Sequence, residues 1–95
     1  MPVGLIVEIP GMTTEVYDRV MDNLNWGPDN LPAGFIAHHA CETPEGLYIF
    51  DVWEEADDWR RFAEGSLGAA IAEATGGQAS APEPRFYPLH REEHR

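Results

Sequence analysis

The sequence of 95 residues contains no lysine and a single cysteine, Cys41. Six basic residues stand against 17 acidic ones, which gives a formal net charge of −11. Nucleic acids and anionic membrane surfaces are bound by clustered cations, so this balance argues against both partners. One cysteine excludes an intramolecular disulfide and any metal site built on paired cysteines, and it favours a reducing compartment.

Long hydrophobic runs are also missing. The apolar stretch at residues 3–7 stops at Glu8 and has neither a basic flank nor a small-residue cleavage site. A signal peptide and a membrane span are therefore not predicted, and we expect a cytoplasmic protein. The 43% hydrophobic and 11% aromatic content suits one small globular domain. A domain of this size buries only roughly 60 to 70% of its unfolded surface, so association would help it.

Hydrophobic periodicity and turn residues predict four strands and two helices. Thr13 suits the N-cap of the first helix, and the loop at residues 25–34 is rich in proline, glycine and asparagine. The predicted strands are 3–9, 35–40, 47–53 and 85–90, with a hairpin loop at 42–46. The predicted helices are 14–24 and one near Asp57, which bends at Gly65 and Gly68 and resumes over 67–74. Pro88 places the last strand at an edge of the sheet.

This β-α-β-β-α-β order predicts a ferredoxin-like α+β fold. Two helices then cover one face of a four-stranded antiparallel sheet and leave the other face open. We expect one domain over residues 1–90, followed by a solvated tail at 91–95.

Strand alternation assigns the side chains to these two faces. The third strand has a wholly apolar set, Tyr48, Phe50 and Val52, which is predicted to face the helices. For the first strand, the core set is Val3, Leu5, Val7 and Ile9. The remaining side chains give a predicted open face made of Ile6, Glu8, Phe35, Ala37, His39, Ile49, Asp51 and Trp53.

The hairpin register decides which histidine joins that face. A five-residue loop places His39 there, opposite Ile49, whereas a four-residue loop places His38 there instead. The core-side position of Ile36 favours the first register. Since the predicted face is too apolar for water and too polar for a core, we expect it to line a pocket that a second copy of the chain closes.

Four segments resemble a known superfamily: PGMTTEVYDRV, PAGFIAHHA, GLYIFDVWEEADDWRRFAEGSLGAAI and FYPLH. They are similar to the small dimeric α+β-barrel proteins of the antibiotic biosynthesis monooxygenase-like superfamily. The most recognisable positions are Tyr17-Asp18, Gly34, His38, residues 51–54, Phe62 and His90. The resemblance implies a homodimer of two ferredoxin-like subunits packed sheet to sheet as a barrel, with a pocket in each subunit.

The same superfamily includes cofactor-free oxygenases that make quinones, polyketide cyclases, lactone isomerases and haem-degrading enzymes. Two departures are visible. Ile49 stands where the quinone-forming oxygenases carry an asparagine, and neither predicted helix supplies the histidine that binds iron in the haem-degrading members.

The candidate catalytic residues are Asp51 and one of the two histidines, His39 or His38. A carboxylate can hold an imidazole in one tautomer for acid–base chemistry; the alternative role for Asp51 is that of a structural acceptor for a loop amide. The candidate substrate-binding residues are Trp53, Phe35, Trp26 as a lid, Glu8 and His90. A metal site made of one histidine, Asp51, Glu8 and His90 is less favoured, since these residues follow no ligand spacing.

The sequence and the resemblance together predict a protein that binds a small aromatic or polycyclic molecule without a bound cofactor. In the leading interpretation it abstracts a proton and acts as a monooxygenase-like enzyme of secondary metabolism. A cyclase or isomerase without oxygen chemistry, and a non-catalytic ligand-binding dimer, are the alternatives.

Overall fold

The element order in the computed structural model, which describes all 95 residues, is the predicted one. The π-helical turn Ala63–Leu67 joins the second and third α-helices. The elements are β1 (Val3–Pro10), α1 (Thr14–Leu24), β2 (Phe35–Thr43), β3 (Gly46–Trp53), α2 (Ala56–Phe62), α3 (Gly68–Thr75) and β4 (Arg85–Pro88).

Helix α1 begins and ends where its sequence requires. The Thr13 hydroxyl accepts a hydrogen bond from the Val16 N–H at 3.2 Å, which satisfies one of the free donors of the first turn. Asn25 ends the helix in the left-handed conformation, with φ at 53°, and its N–H bonds to the Met21 carbonyl. These caps set the two ends of α1, whose apolar residues Val20 and Leu24 are buried in the core.

The antiparallel sheet has the strand order β2-β3-β1-β4, which places β4 at an edge, as Pro88 predicts. The hairpin between β2 and β3 is tighter than predicted: Thr43 pairs with Gly46, so only two residues form the turn. His38 consequently lies opposite Asp51, the register of the four-residue alternative. The predicted ferredoxin-like α+β fold is confirmed.

The pairing of β1 with β3 decides which side chains face the helices. Leu5 lies opposite Asp51, and opposed residues of an antiparallel pair share a face. Because Leu5 belongs to the helix-covered core as predicted, Asp51 does too. The predicted placement of Phe35, Ile49, Asp51 and Trp53 on the open face is therefore wrong, as is the placement of Tyr48, Phe50 and Val52 toward the helices.

A β-bulge at Ile36 changes the face of the residues before it. The register shifts between Phe35 and Ala37, so Phe35 pairs with Trp53 while His38 pairs with Asp51. Residues three apart on a regular strand point to opposite faces, but the extra residue brings Phe35 and His38 to the same, helix-covered face.

The chain bends sharply after α2. Gly65 has φ −101° and ψ −111°, far from helical values, which confirms the bend predicted there. Gly68 has ordinary helical torsions and begins α3. Gly76 and Gly77, both at positive φ, end α3, and an irregular segment over 78–84 leads back to β4. None of the helices combines the length and hydropathy needed to cross a membrane.

Candidate active site

Four side chains from α1, β2 and β3 form one hydrogen-bonded chain on the covered face. Asp51 Oδ1 lies 2.6 Å from His38 Nδ1, and Asp51 Oδ2 accepts a hydrogen bond from the Trp53 indole N–H at 3.1 Å. The other ring nitrogen, His38 Nε2, lies 2.5 Å from the Tyr17 hydroxyl oxygen. The order is Tyr17, His38, Asp51, Trp53, so the carboxylate holds both the imidazole and the indole in place.

A neutral imidazole satisfies every contact in this chain. Its Nδ1–H donates to the Asp51 carboxylate, and its Nε2 accepts the proton of the Tyr17 hydroxyl. Asp51 is only 4% exposed, yet no buried side-chain nitrogen or oxygen lacks a partner. The buried polar groups are thus matched, which is the condition for placing them in an apolar core.

The Tyr17 hydroxyl is at one end of this series of hydrogen bonds and borders the internal cavity described below. Burial raises the pKa of Tyr17, and the negative charges of Asp51 and Asp18 raise it further. Tyr17 is therefore neutral at physiological pH, and its oxygen keeps acceptor capacity beyond the proton it shares with His38.

Trp26 is held beside His38 by a closed loop. The Asn30 side-chain amide donates to the carbonyls of Leu24, at 3.3 Å, and Asn25, at 2.7 Å. The Trp26 ring then meets the His38 ring edge to face, with centroids 5.6 Å apart. Phe35 supports Trp26 from behind, with ring centroids 4.9 Å apart. The loop is thus pre-organised by its own asparagine, and its tryptophan closes one side of the site.

A cavity of about 130 Å³ lies between the helices and the covered face, next to this polar chain. Its wall is mainly apolar, and irregular residues 79, 80 and 82 complete it. Tyr17, His38 and Asp51 form its polar end, whereas no arginine contributes to it. Representative apolar wall residues are Val7, Val20, Trp26, Ile49, Phe62 and Ile71.

The position of this cavity corrects the predicted pocket. One chain encloses it between sheet and helices, whereas the prediction placed it on the open face beneath a second copy. His39 lies on the open face, as predicted, with Nδ1 3.2 Å from the Phe50 carbonyl, but the cavity is on the other face and His39 does not line it. The physical reason is that pairing with β1 turns Asp51 and Ile49 toward the helices, while the two-residue turn places His38 opposite Asp51.

The other predicted substrate-binding residues do not line the cavity: two lie behind its wall and two are exposed. Trp53 is fully buried and holds Asp51, and Phe35 packs against it, so both lie behind the cavity wall. Glu8 and His90 are exposed and do not line the cavity. No group of three or more histidine, cysteine, aspartate or glutamate side chains is placed to hold a metal ion.

Tyr17 is the residue whose role sequence reasoning missed. Its side chain shares the apolar stripe of α1 with Val20 and Leu24, which made it look like ordinary core. The available signal was its hydroxyl: a tyrosine on a buried stripe needs a partner, and a histidine in a neighbouring strand supplies one.

Solved structures share this ferredoxin-like α+β fold, which is the fold that the resemblance implied. A single-substitution variant of SnoaB, a cofactor-independent oxygenase from Streptomyces nogalater, matches with a TM-score of 0.54 and 17% identity, over 96% of this chain and 95% of that chain. Unsubstituted SnoaB matches with a TM-score of 0.53 and 15% identity, over 96% and 92%. No family model and no curated protein sequence matches the chain.

Proposed function

We propose that the chain is a cofactor-independent, monooxygenase-like enzyme that abstracts a proton from an aromatic or polyketide-type molecule bound in the cavity. The observation that carries this proposal is the hydrogen-bonded chain of Tyr17, His38 and Asp51 at the polar end of an apolar cavity. The shared fold with SnoaB, a cofactor-independent oxygenase, supports the class of chemistry.

In this proposal Tyr17 relays the proton. Its oxygen takes a proton from the substrate while its own proton passes to His38 Nε2, 2.5 Å away. The imidazolium that forms is stabilised by the Asp51 carboxylate. A free tyrosinate is disfavoured because burial raises the pKa of Tyr17, so the relay never needs to form one.

The oxygenase step follows from the carbanion that proton removal creates. For a ring methylene next to a carbonyl, the carbanion transfers an electron to dioxygen, and the resulting radicals combine to a peroxide. Loss of the second hydrogen of that carbon as a proton, together with cleavage of the O–O bond, gives a carbonyl and water. The balance is CH₂ + O₂ → C=O + H₂O, in which the substrate supplies all the electrons.

The same proton transfer without dioxygen would make the protein an isomerase or cyclase. Two assays separate these reactions on a panel of acetophenone, 2-indanone and anthrone. Deuterium exchange at the acidic carbon, followed by NMR in heavy water, reports proton abstraction alone, and an oxygen electrode reports the oxidative step.

The matched variants for these assays are neighbours on β2. Because general acid–base catalysis contributes on the order of 10²-fold or more, His38→Gln should slow exchange by about that factor, and Tyr17→Phe should do the same. His39→Gln lies on the open face and should leave the rate unchanged. Equal rates for all three variants would refute the relay, and no exchange with any of these compounds would favour a non-catalytic binding protein.

We further propose that the open face pairs with a second copy of the chain, and that the homodimer is the working form. Ile6, Phe50 and Tyr87 lie on this face without helices above them, and Tyr87 is 51% exposed. Solvent-accessible apolar side chains such as these are stabilised when they are removed from water. Sedimentation of the purified protein over a range of concentrations tests this pairing.

A further inference from the structure

We infer that the cavity selects a molecule of a single aromatic ring that carries no negative charge and whose hydroxyl donates a hydrogen bond to Tyr17. This inference rests on the proposed function and deepens it, because it concerns the same site and narrows the substrate class from aromatic or polyketide-type molecules to those with one ring. Its support comes from the size of the cavity, the absence of a positive counter-charge and the acceptor that Tyr17 keeps free at the polar end.

Size sets the first limit. The cavity measures about 130 Å³. An apolar protein cavity of about 150 Å³ is known to take up benzene, so this one matches a single ring and is too small for three fused rings. Most of its wall belongs to the packed core, where Val7 and Ile71 are buried, so widening it between sheet and helices would require these layers to separate.

Charge sets the second limit. No arginine lines the cavity and the chain has no lysine, so an anionic ligand would enter without a counter-ion. Asp51 adds a negative charge at the polar end of the cavity, where its two oxygens are hydrogen-bonded to His38 and Trp53, so an anion would also be repelled there. Burying a charge without a counter-charge is strongly unfavourable, so the ligand carries no negative charge.

Hydrogen bonding sets the third limit. Both ring nitrogens of His38 are engaged, one by Asp51 and one by Tyr17. The Tyr17 oxygen donates its proton to His38 and retains a lone pair, which makes it an acceptor at the polar end of the cavity. A ligand that reaches this end is therefore recognised through a donor, and a phenolic or enolic hydroxyl on an apolar ring is the group that fits.

Four probes separate these limits by isothermal titration calorimetry with the full chain. Since one hydrogen bond changes affinity by about 3- to 10-fold, p-cresol should bind that much more tightly than toluene. We expect 4-methylbenzoate, which carries a charge, to bind at least about 100-fold more weakly than p-cresol. Anthrone, with three fused rings, should not compete. Binding of the benzoate or of anthrone as tight as that of p-cresol would overturn the inference.

The Tyr17→Phe variant tests the acceptor. It should bind toluene within about 2-fold of the unsubstituted protein and lose the preference for p-cresol, because one hydrogen bond accounts for that preference. A preference that survives the substitution contradicts the assignment of Tyr17. NMR of the isoleucine methyl groups gives a readout without substitution: p-cresol should shift the signals of Ile49 and Ile71, and a shift confined to Ile6 would place the ligand on the open face.

Failure of this inference and failure of the proposed function are distinguishable. If p-cresol binds as expected but no compound shows proton exchange, the ligand class stands and catalysis is refuted. If anthrone binds tightly and is oxidised, catalysis stands and the single-ring limit is refuted.

Discussion

The two faces of the sheet contrast in a way that reverses the usual expectation. The helix-covered face contains a carboxylate and an imidazole, which are hydrogen-bonded to each other and, through the imidazole, to the Tyr17 phenol of α1. The open face presents the aromatic side chains of Phe50 and Tyr87 beside exposed polar ones such as Glu8 and His39. Polarity therefore does not identify the inside of this molecule. What decides burial is whether each polar group finds a partner, since a paired polar group is tolerated in a core and an unpaired one is not.

The largest effect that would test this contrast is expected from Asp51→Ala. Removing the carboxylate leaves the His38 and Trp53 donors buried without an acceptor, which should lower the free energy of unfolding by about 4 kcal/mol. Urea denaturation followed by circular dichroism measures the change.

A matched control for that substitution is Asp57→Ala. Asp57 also pairs with a basic side chain, Arg60, but its own side chain is 75% exposed. The control should cost less than about 1 kcal/mol, as exposed ion pairs do. An equal loss of unfolding free energy for the two substitutions would mean that the buried hydrogen bonds of Asp51 have no special role in stability.

A second comparison uses neighbours on β1 that point to opposite faces. Leu5 is 1% exposed in the core, so Leu5→Ala should destabilise the protein by about 3 kcal/mol through lost burial and the void left behind. Ile6→Ala, on the open face, should cost less than about 1 kcal/mol in a dilute, monomeric sample. A larger cost for Ile6 that appears only at high protein concentration would show that a second copy covers this face.

Alkaline pH is expected to cause a smaller loss of stability, through ionisation of Tyr17 beside the covered face. Because the folded-state pKa of Tyr17 lies above its unfolded value, the neutral phenol favours the folded state. This contribution is complete below the unfolded pKa of about 10 and is lost as pH rises through the folded-state pKa. Thermal melts above pH 10 should thus show a loss of stability that Tyr17→Phe reduces. Tyr87→Phe, on the open face, is the control and should leave the loss in place.

The smallest effect on the isolated chain is expected from Phe50→Ser. Phe50 packs against His39 on the open face, with ring centroids 6.0 Å apart, so its loss should change monomer stability by less than about 1 kcal/mol. If that face joins two copies, the same substitution should shift the sedimentation profile toward the monomer. An unchanged dimer would place the interface elsewhere.

Some elements could be read directly from the sequence. Helix α1 was predictable to the residue because its cap at Thr13 and its apolar spacing agree, and the edge position of β4 follows from Pro88. Such features depend on local chemistry. The bend at Gly65 is of the same kind, since a glycine interrupts an apolar helical pattern.

The site was harder to predict because it depends on pairing between strands. A change of one residue in the hairpin register exchanges His38 for His39, and the two-residue turn that sets it is not evident from the segment ETPEG. The bulge at Ile36 moves Phe35 to the other face, again without a local signal. The pair of one histidine with Asp51 was predictable, but its face and its tyrosine partner required the tertiary structure.

The lone thiol of this sequence gains a use from its position. Cys41 is free and exposed, and it lies opposite Tyr48 on the open side of the β2–β3 hairpin. With no second sulfhydryl to compete, an alkylating reagent would mark that side alone, and the speed of labelling would report how much of it remains accessible. If a second copy covers that side, labelling of Cys41 should slow as the protein concentration rises, and this can be followed in the unaltered protein.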